Sequence, residues 1–335
     1  VIGVIGAGRI GKVHTKSICQ HVKNARIKTL ADPFMSEETA NWAKGLGVDH
    51  VTKDYHEIIQ DPEINAVMIC SSTDTHSPIS VEAIKAGKHV FCEKPIDHDI
   101  DKIKEVMKAL EGTSLKYQVG FNRRFDHNFE AVRRAVEEGK IGDPHIIKIT
   151  SRDPEPPSAE YAAVSGGMFL DMTIHDFDMV RYLAGCDAEE IYVQSAVLVD
   201  PAIGEAGDVD TAVITLKMEN GALAVIDNSR KAVYGYDQRA EVFGSGGMVA
   251  TSNDTPSTAV ISNAQGVTGE KPLYFFLERY TESFSKEVEL FVDAIEKDTD
   301  APLGVMDGLK PVLMGLAAKK SVEEKRPVKI SEILF

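Results

Sequence analysis

The first 120 residues alternate short apolar runs with longer stretches of mixed character. Val1 to Ile5, Ile27 to Ala31, Ala66 to Cys70, Lys88 to Glu93 and Lys116 to Gly120 are the apolar runs. They are rich in β-branched residues and mostly lack polar alternation, as expected of parallel strands covered on both faces. Val13 to Val22, Ser36 to Leu46, Tyr55 to Ile59, Ser77 to Ala86 and Asp101 to Leu110 lie between them and predict helices. Ser36 suits an N-cap followed by Glu37 and Glu38, Pro78 suits a first turn, and Gly87 suits a stop. This β-α-β alternation predicts a doubly wound parallel sheet.

The pattern changes after Gly120. Phe129 to Glu138 predicts an amphipathic helix stopped by Gly139. Strand-like runs then follow at His145 to Arg152, Glu190 to Val199, Asp210 to Met218, Ala222 to Lys231 and Gln238 to Phe243, with shorter ones at Val249-Ala250 and Thr258 to Ser262. Glu219-Asn220-Gly221 carries the Asn-Gly signal of a tight hairpin. Strands in direct succession predict an open, mainly antiparallel sheet with helices on one face. If the other face is apolar it needs a cover, so a homo-oligomer is expected, most simply a tetramer joined through that sheet. Ser283 to Lys297 and Asp307 to Lys325 predict two more helices. The expected architecture is α/β: an N-terminal domain over 1–120, and an α+β domain over 121–335 whose helix 307–325 packs back on the first.

Composition narrows the partners. A formal net charge of −15 argues against nucleic acid or an anionic membrane as a main partner. No apolar run is long enough to span a bilayer. Cys19, Cys70, Cys92 and Cys186 are scattered without a C-x-x-C pair, which reads as reduced thiols and a cytoplasmic protein. The chain starts in a core strand with no signal peptide pattern. Because it begins on Val, a few leading residues are expected to be missing from it.

The first apolar run leads directly into Gly6-Ala7-Gly8-Arg9-Ile10-Gly11. The G-x-G-x-x-G spacing between a strand and a helix suits a dinucleotide pyrophosphate. Gly6 permits the turn, Gly8 lets the phosphate approach, and Gly11 lets helix and strand pack closely. The helix N-terminus supplies N–H groups and a positive dipole end. Asp32 ends the second strand about 20 residues on, where a carboxylate accepts from the adenosine ribose hydroxyls. The residues after it, Pro33 to Glu38, include no Arg or Lys to neutralise a 2′-phosphate, so NAD is the expected cofactor. Ser71, Ser72 and Thr73 lie at the carboxyl end of a strand, where such a sheet binds its ligand. His76 follows them and reads as a helix-start residue near the nicotinamide ribose with no chemical role. Glu93-Lys94-Pro95 ends another strand, and a cis Pro95 would aim Lys94 into the crevice.

These segments, together with Gly120-Phe121-Asn122-Arg123-Arg124-Phe125, resemble the glucose–fructose oxidoreductase and inositol dehydrogenase family, and the resemblance covers essentially the whole chain. It implies an N-terminal Rossmann domain and a C-terminal substrate domain. Gly166-Gly167-Met168-Phe169-Leu170-Asp171 and His175-Asp176-Phe177-Asp178 match the family segment that faces the nicotinamide. Asp171, His175 and Asp178 stand at i, i+4 and i+7, which predicts one side of one helix. By resemblance Lys94, Asp171 and His175 form the catalytic group, in a cleft between the domains. Glu93, Lys94 and Arg123 are expected near the cofactor. Arg123, Asp153, Asp178 and Tyr236 are expected to join the catalytic group in holding a polyol. At Asp153 the chain departs from the family pattern, which has a basic or amide residue there. Asp and His at helical spacing also suit a metal, but no Cys or His cluster completes a site, so none is expected.

The implied reaction is NAD-dependent oxidation of a ring hydroxyl of myo-inositol, or of a stereoisomer such as scyllo-inositol, to an inosose. A dehydrogenase of an aldose or another cyclic polyol is the alternative enzyme. A non-catalytic NAD(P)-binding regulator is the alternative of another class, disfavoured because Lys94, Asp171 and His175 are all present. Few cations beyond Arg123 are in evidence, which weighs against phosphorylated sugars.

Overall fold

A computed structural model describes residues 1–333. The backbone divides into two units: Val1–Phe125 with Glu282–Val312, and Asp126–Thr281 with Leu313–Phe335.

In the first unit, strands β1 (Ile2–Ile5), β2 (Ile27–Ala31), β3 (His50–Thr52), β4 (Ala66–Ile69), β5 (His89–Glu93) and β6 (Tyr117–Gly120) form one sheet in the order 3-2-1-4-5-6. Every pairing is parallel. The helices between them are α1 (Arg9–His21), α2 (Glu37–Gly45), α3 (His56–Gln60), α4 (Thr73–Lys85) and α5 (Ile100–Leu110). This is the doubly wound sheet that the alternation predicts. Ser36 caps α2 by accepting from the Thr39 amide. Helix α1 starts at Arg9 rather than Val13, because the glycine turn feeds straight into it and Lys12 N already bonds to Gly8 O.

The second unit contains α6 (His127–Glu137), β7 (Pro144–Arg152), α7 (Ala159–Val164), α8 (Gly167–Asp171), α9 (Ile174–Ala184), β8 (Ala188–Ala196), α10 (Pro201–Glu205), β9 (Thr211–Met218), β10 (Leu223–Ser229), β11 (Asp237–Gly244), β12 (Gly247–Ala250), an exposed hairpin of β13 (Val260–Asn263) and β14 (Gly266–Gly269), and α11 (Phe276–Arg279). After α12 (Thr281–Glu296) and α13 (Val305–Glu324), β15 (Val328–Lys329) adds the last strand. The main sheet runs 12-11-7-10-9-8-15 and is antiparallel throughout except for β7 beside β10. The Asn220-Gly221 turn joins β9 to β10, with Gly221 at φ 88°. One face of β9 is buried and the other exposed in strict alternation.

Two expectations need correction. The boundary falls at 125/126 rather than 120/121, and the second part is not continuous. Most of α12 belongs to the first unit, where Val288, Phe291 and Val292 share a core with Ile2, Val4, Leu30, Met68 and Phe91. The unit boundary then passes through α13. Asp171 and His175 also do not share a helix. Helix α8 ends at Asp171, and α9 begins at Ile174 after a break at Met172 and Thr173. There the amides of Met172 and Thr173 both reach Met168 O, and Thr173 Oγ1 donates to Asn228 Oδ1 at 2.7 Å. Asn228 Nδ2 also donates to Asp176 at 2.9 Å, so one side chain from β10 pins the break. The i, i+4, i+7 geometry of a continuous helix therefore does not apply.

Candidate active site

The glycine turn has the form a pyrophosphate requires. Gly6 has φ of +100°, and a Cβ there would lie 2.6 Å from the Cys70 carbonyl carbon. A Cβ on Gly11 would lie 1.9 Å from Gly6 O, so strand and helix could not approach as they do. A Cβ on Gly8 would meet nothing within 4 Å. Gly8 is exposed, and it is the N-cap of α1 with no side chain on the N–H groups. Arg9 is exposed beside it, and Ile10 packs on the core. Asp32 closes this crib: Oδ2 accepts from Ala7 N at 2.6 Å and Oδ1 from Phe34 N at 2.8 Å. Each oxygen keeps a further lone pair for a ribose hydroxyl. The residues fit a dinucleotide.

At the next strand ends, Ser72 is the N-cap of α4 and Thr73 its first residue, while Ser71 Oγ bonds Thr75 Oγ1 at 2.6 Å. His76 is 2% exposed, with its ring nitrogens at 2.8 and 3.0 Å from the carbonyl oxygens of Pro95 and Ser71. Carbonyls only accept, so both nitrogens are called on to donate. Burial opposes that charge, but Cys92 and the two carbonyls outweigh it and push the ring up to about 9. His76 is thus a brace between the segments that follow β4 and β5.

The Lys94–Pro95 peptide bond is cis. Lys94 is half-buried, and its amide donates to Glu93 Oε2 at 3.3 Å. Glu93 Oε1 contacts His14 Nε2 at 2.6 Å. Glu287 of α12 lies behind, 3.9 Å from the same nitrogen and fully buried. Burial, and then the Glu93 charge, push the Glu287 carboxyl well above the usual range. A Cβ on Gly120 would lie 3.0 Å from the Glu93 carboxylate, so β6 walls the group in. Arg123, in the short turn Asn122–Phe125, is buried at 4% exposure.

In the second unit, Asp171 ends α8 and His175 opens α9, both half-buried. Asp171 Oδ1 accepts from Tyr161 Oη at 3.1 Å, and its Oδ2 from Arg230 Nη2 at 3.2 Å. The other Arg230 nitrogen, Nη1, reaches Asp153 Oδ2 at 3.2 Å. The structure therefore brings Asp153 and Asp171 together through Arg230, a residue sequence reasoning missed. Its one signal was Asp153 standing where a basic or amide residue was expected. Asp178 is turned inward, 1% exposed and 3.7 Å from Arg181. Tyr236 is 5% exposed, with its ring edge-on to Phe275 and Tyr280. Asp126, His127 and Asp254 also cluster in this unit, but Arg279 already bridges Asp126 and Asp254.

Residues 1–121 match the oxidoreductase family with an NAD-binding Rossmann fold, GFO/IDH/MocA, and residues 129–250 match the GFO/IDH/MocA C-terminal domain. The chain is 47% identical to the myo-inositol 2-dehydrogenase of Thermotoga maritima over 99% of both chains. The chain belongs to the GFO/IDH/MocA family. It is also 45% identical to the inositol 2-dehydrogenase of Rhizobium meliloti over 98% of both. Among solved structures, it is similar to the scyllo-inositol dehydrogenase of Lactobacillus casei with bound NAD(H) and scyllo-inositol. That match has a TM-score of 0.91, 31% identity and 98% coverage of each chain. The family fold accounts for the glycine crib and for the mixed sheet of the second unit. No helix among the described residues is long and apolar enough to cross a membrane.

Proposed function

We propose that this chain is an NAD-dependent inositol dehydrogenase that oxidises one ring hydroxyl of myo-inositol, or of scyllo-inositol, to an inosose. The full-length match to a myo-inositol 2-dehydrogenase carries the proposal. The glycine crib and Asp32 hold the cofactor, which when bound accepts the hydride. Lys94, a cation, stabilises the oxygen as it becomes an alkoxide. His175 takes the hydroxyl proton, since an ordinary imidazole titrates near neutrality. Asp171 accepts from a neighbouring ring hydroxyl. The test is NADH absorbance with NAD or NADP and a panel of cyclitols and aldoses. Turnover of an inositol with NAD, and much less with NADP because Asp32 repels a 2′-phosphate, is expected. Turnover of aldoses alone would overturn the substrate, and tight NAD binding without turnover of anything would make the chain a regulator.

We also propose that the protein is a homotetramer joined through the open sheet face. Phe243, Ile146 and Leu223 stand side by side across β11, β7 and β10, each more than a third exposed. Such a row is normally covered. Light scattering at micromolar concentration should return the tetramer mass, and a monomer would refute this. The four free cysteines support a cytoplasmic location.

A further inference from the structure

Arg230 lies at a junction of three elements. It follows β10, and its amide bonds Asp210 O at 2.8 Å. Asp153 follows β7, the parallel neighbour of β10, and its amide bonds Ser229 O at 2.9 Å. The register pairs Arg152 with Ser229, so Asp153 and Arg230 leave adjacent strand ends together. Asp171 arrives from the end of α8. Arg230 is 4% exposed, whereas the Asp153 and Asp171 side chains keep 13% and 16% exposure. The cation is thus at the back, and the carboxylates are the part that solvent reaches. A long polar side chain is rarely buried so fully unless its charge is matched. Here it is matched twice, at 3.2 Å on each side.

Two carboxylates this close would repel without the guanidinium, and one would take up a proton. A protonated carboxyl is a donor on one oxygen and a weaker acceptor on the other, which alters what it offers a ring hydroxyl. Burial alone would lower the Arg230 pKa, but the charges of Asp171 and Asp153 more than reverse it, so the guanidinium keeps its proton. Tyr161 of α7 also faces this cluster, donating to Asp171, and His175 follows Asp171 by four residues along the chain, at the start of α9. Arg152 beside Asp153 is engaged by Asp227.

We propose that Arg230 is a positioning residue for the dehydrogenase reaction: it fixes Asp171 and Asp153 as a guanidinium-bridged pair of hydrogen-bond acceptors for adjacent hydroxyls of an uncharged polyol ring. The pair reads a polyol because neighbouring ring hydroxyls can each donate to one carboxylate. This rests on the placement of Asp171 in the active site.

The experiment measures kcat/KM against pH with an inositol for the full-length wild type, Arg230→Met, Arg230→Lys, Arg230→Met with Asp153→Asn, and Asp171→Asn. Arg230→Met should lose about 10²-fold at neutral pH, the scale of a misplaced active-site group. Losing an opposite charge within a few ångströms raises a carboxyl pKa by about 1–3 units, so a second protonation should join that of His175 and the acid limb should move up and steepen. Raising the pH should recover part of the loss. Asp153→Asn in the same chain should bring the limb back down, because the competing charge is gone. Arg230→Lys keeps the cation, so its limb should stay with the wild type even if its rate falls; it also tests the idea should Arg230→Met fail to fold. A uniform loss at every pH with an unmoved limb in Arg230→Met, or a shifted limb in Arg230→Lys, overturns the proposal. If Asp171→Asn is silent, the placement of Asp171 fails. If Asp171→Asn is impaired while both Arg230 variants are normal, only the role of Arg230 fails.

Discussion

Each unit brings a pair of acids together, and the two pairs are handled in opposite ways. In the second unit, Asp153 and Asp171 have Arg230 between them, a charge that is never lost in water. In the first, Glu93 and Glu287 have His14 between them, at 2.6 and 3.9 Å. An imidazole bridges less charge than a guanidinium, and Glu287 is sealed from solvent with neither oxygen hydrogen-bonded. Burial and the Glu93 charge therefore both favour the protonated form of Glu287. The permanent cation keeps acceptors at a partly open surface. The imidazole and Glu287 fill a closed space behind the Lys94 turn. Whether a guanidinium or an imidazole stands between the acids separates a group suited to binding hydroxyls from one suited to holding a backbone in place.

The largest effect should come from the residues these clusters support. Lys94→Ala and His175→Ala should each lower kcat by about 10²–10⁴, the range for losing an electrostatic or proton-transfer participant. NAD affinity should change far less, since Asp32 and the glycine turn are untouched. The wild-type rate should rise with pH as the base loses its proton, and His175→Ala should shift or erase that limb. Fluorescence titration with NADH and steady-state rates from pH 5 to 9 give both readouts. Near-normal turnover in His175→Ala with an unchanged profile would leave the proton to Lys94. The Arg230 variants should fall below these in effect, because they act through Asp171.

The sequence made one cluster's surroundings far more legible than the other's. The glycine turn, Asp32 and Lys94 announce themselves locally, because a strand, a turn and a helix start are contiguous and each glycine answers a steric demand within a few residues. The parallel and antiparallel sheets were legible for the same reason: runs and turns carry their own period. Arg230 was not, since its partners lie 77 and 59 residues away in the chain and Asn228-Ser229-Arg230 reads as an ordinary strand end. The break between Asp171 and His175 was also hidden. Its sequence permits a continuous helix, and the side chain that interrupts it, Asn228, comes from a strand more than 50 residues on. Likewise the apolar stripe of α12 predicts a helix but does not say whose core it joins.

The smallest effect should come from Glu287, and its sign distinguishes the two clusters. The folded pKa of Glu287 is raised by burial and by Glu93, while the unfolded chain has a Glu of about 4.3. The folded state therefore binds this proton more tightly. That contribution to stability is fully present below about pH 4.3 and is lost as pH rises toward the folded value, because only the unfolded chain gains by releasing the proton. Glu287→Gln has nearly the same shape and no proton to lose. Its Tm relative to wild type should climb as the pH is raised from 4 to 8, and kcat should hold, because Glu287 touches none of the proposed reacting groups. Matched thermal melts across that range decide it. A Tm difference that stays flat with pH would mean Glu287 is ionised in the fold, and that His14 serves the first pair as Arg230 serves the second. The contrast between the clusters would then be one of exposure rather than of charge.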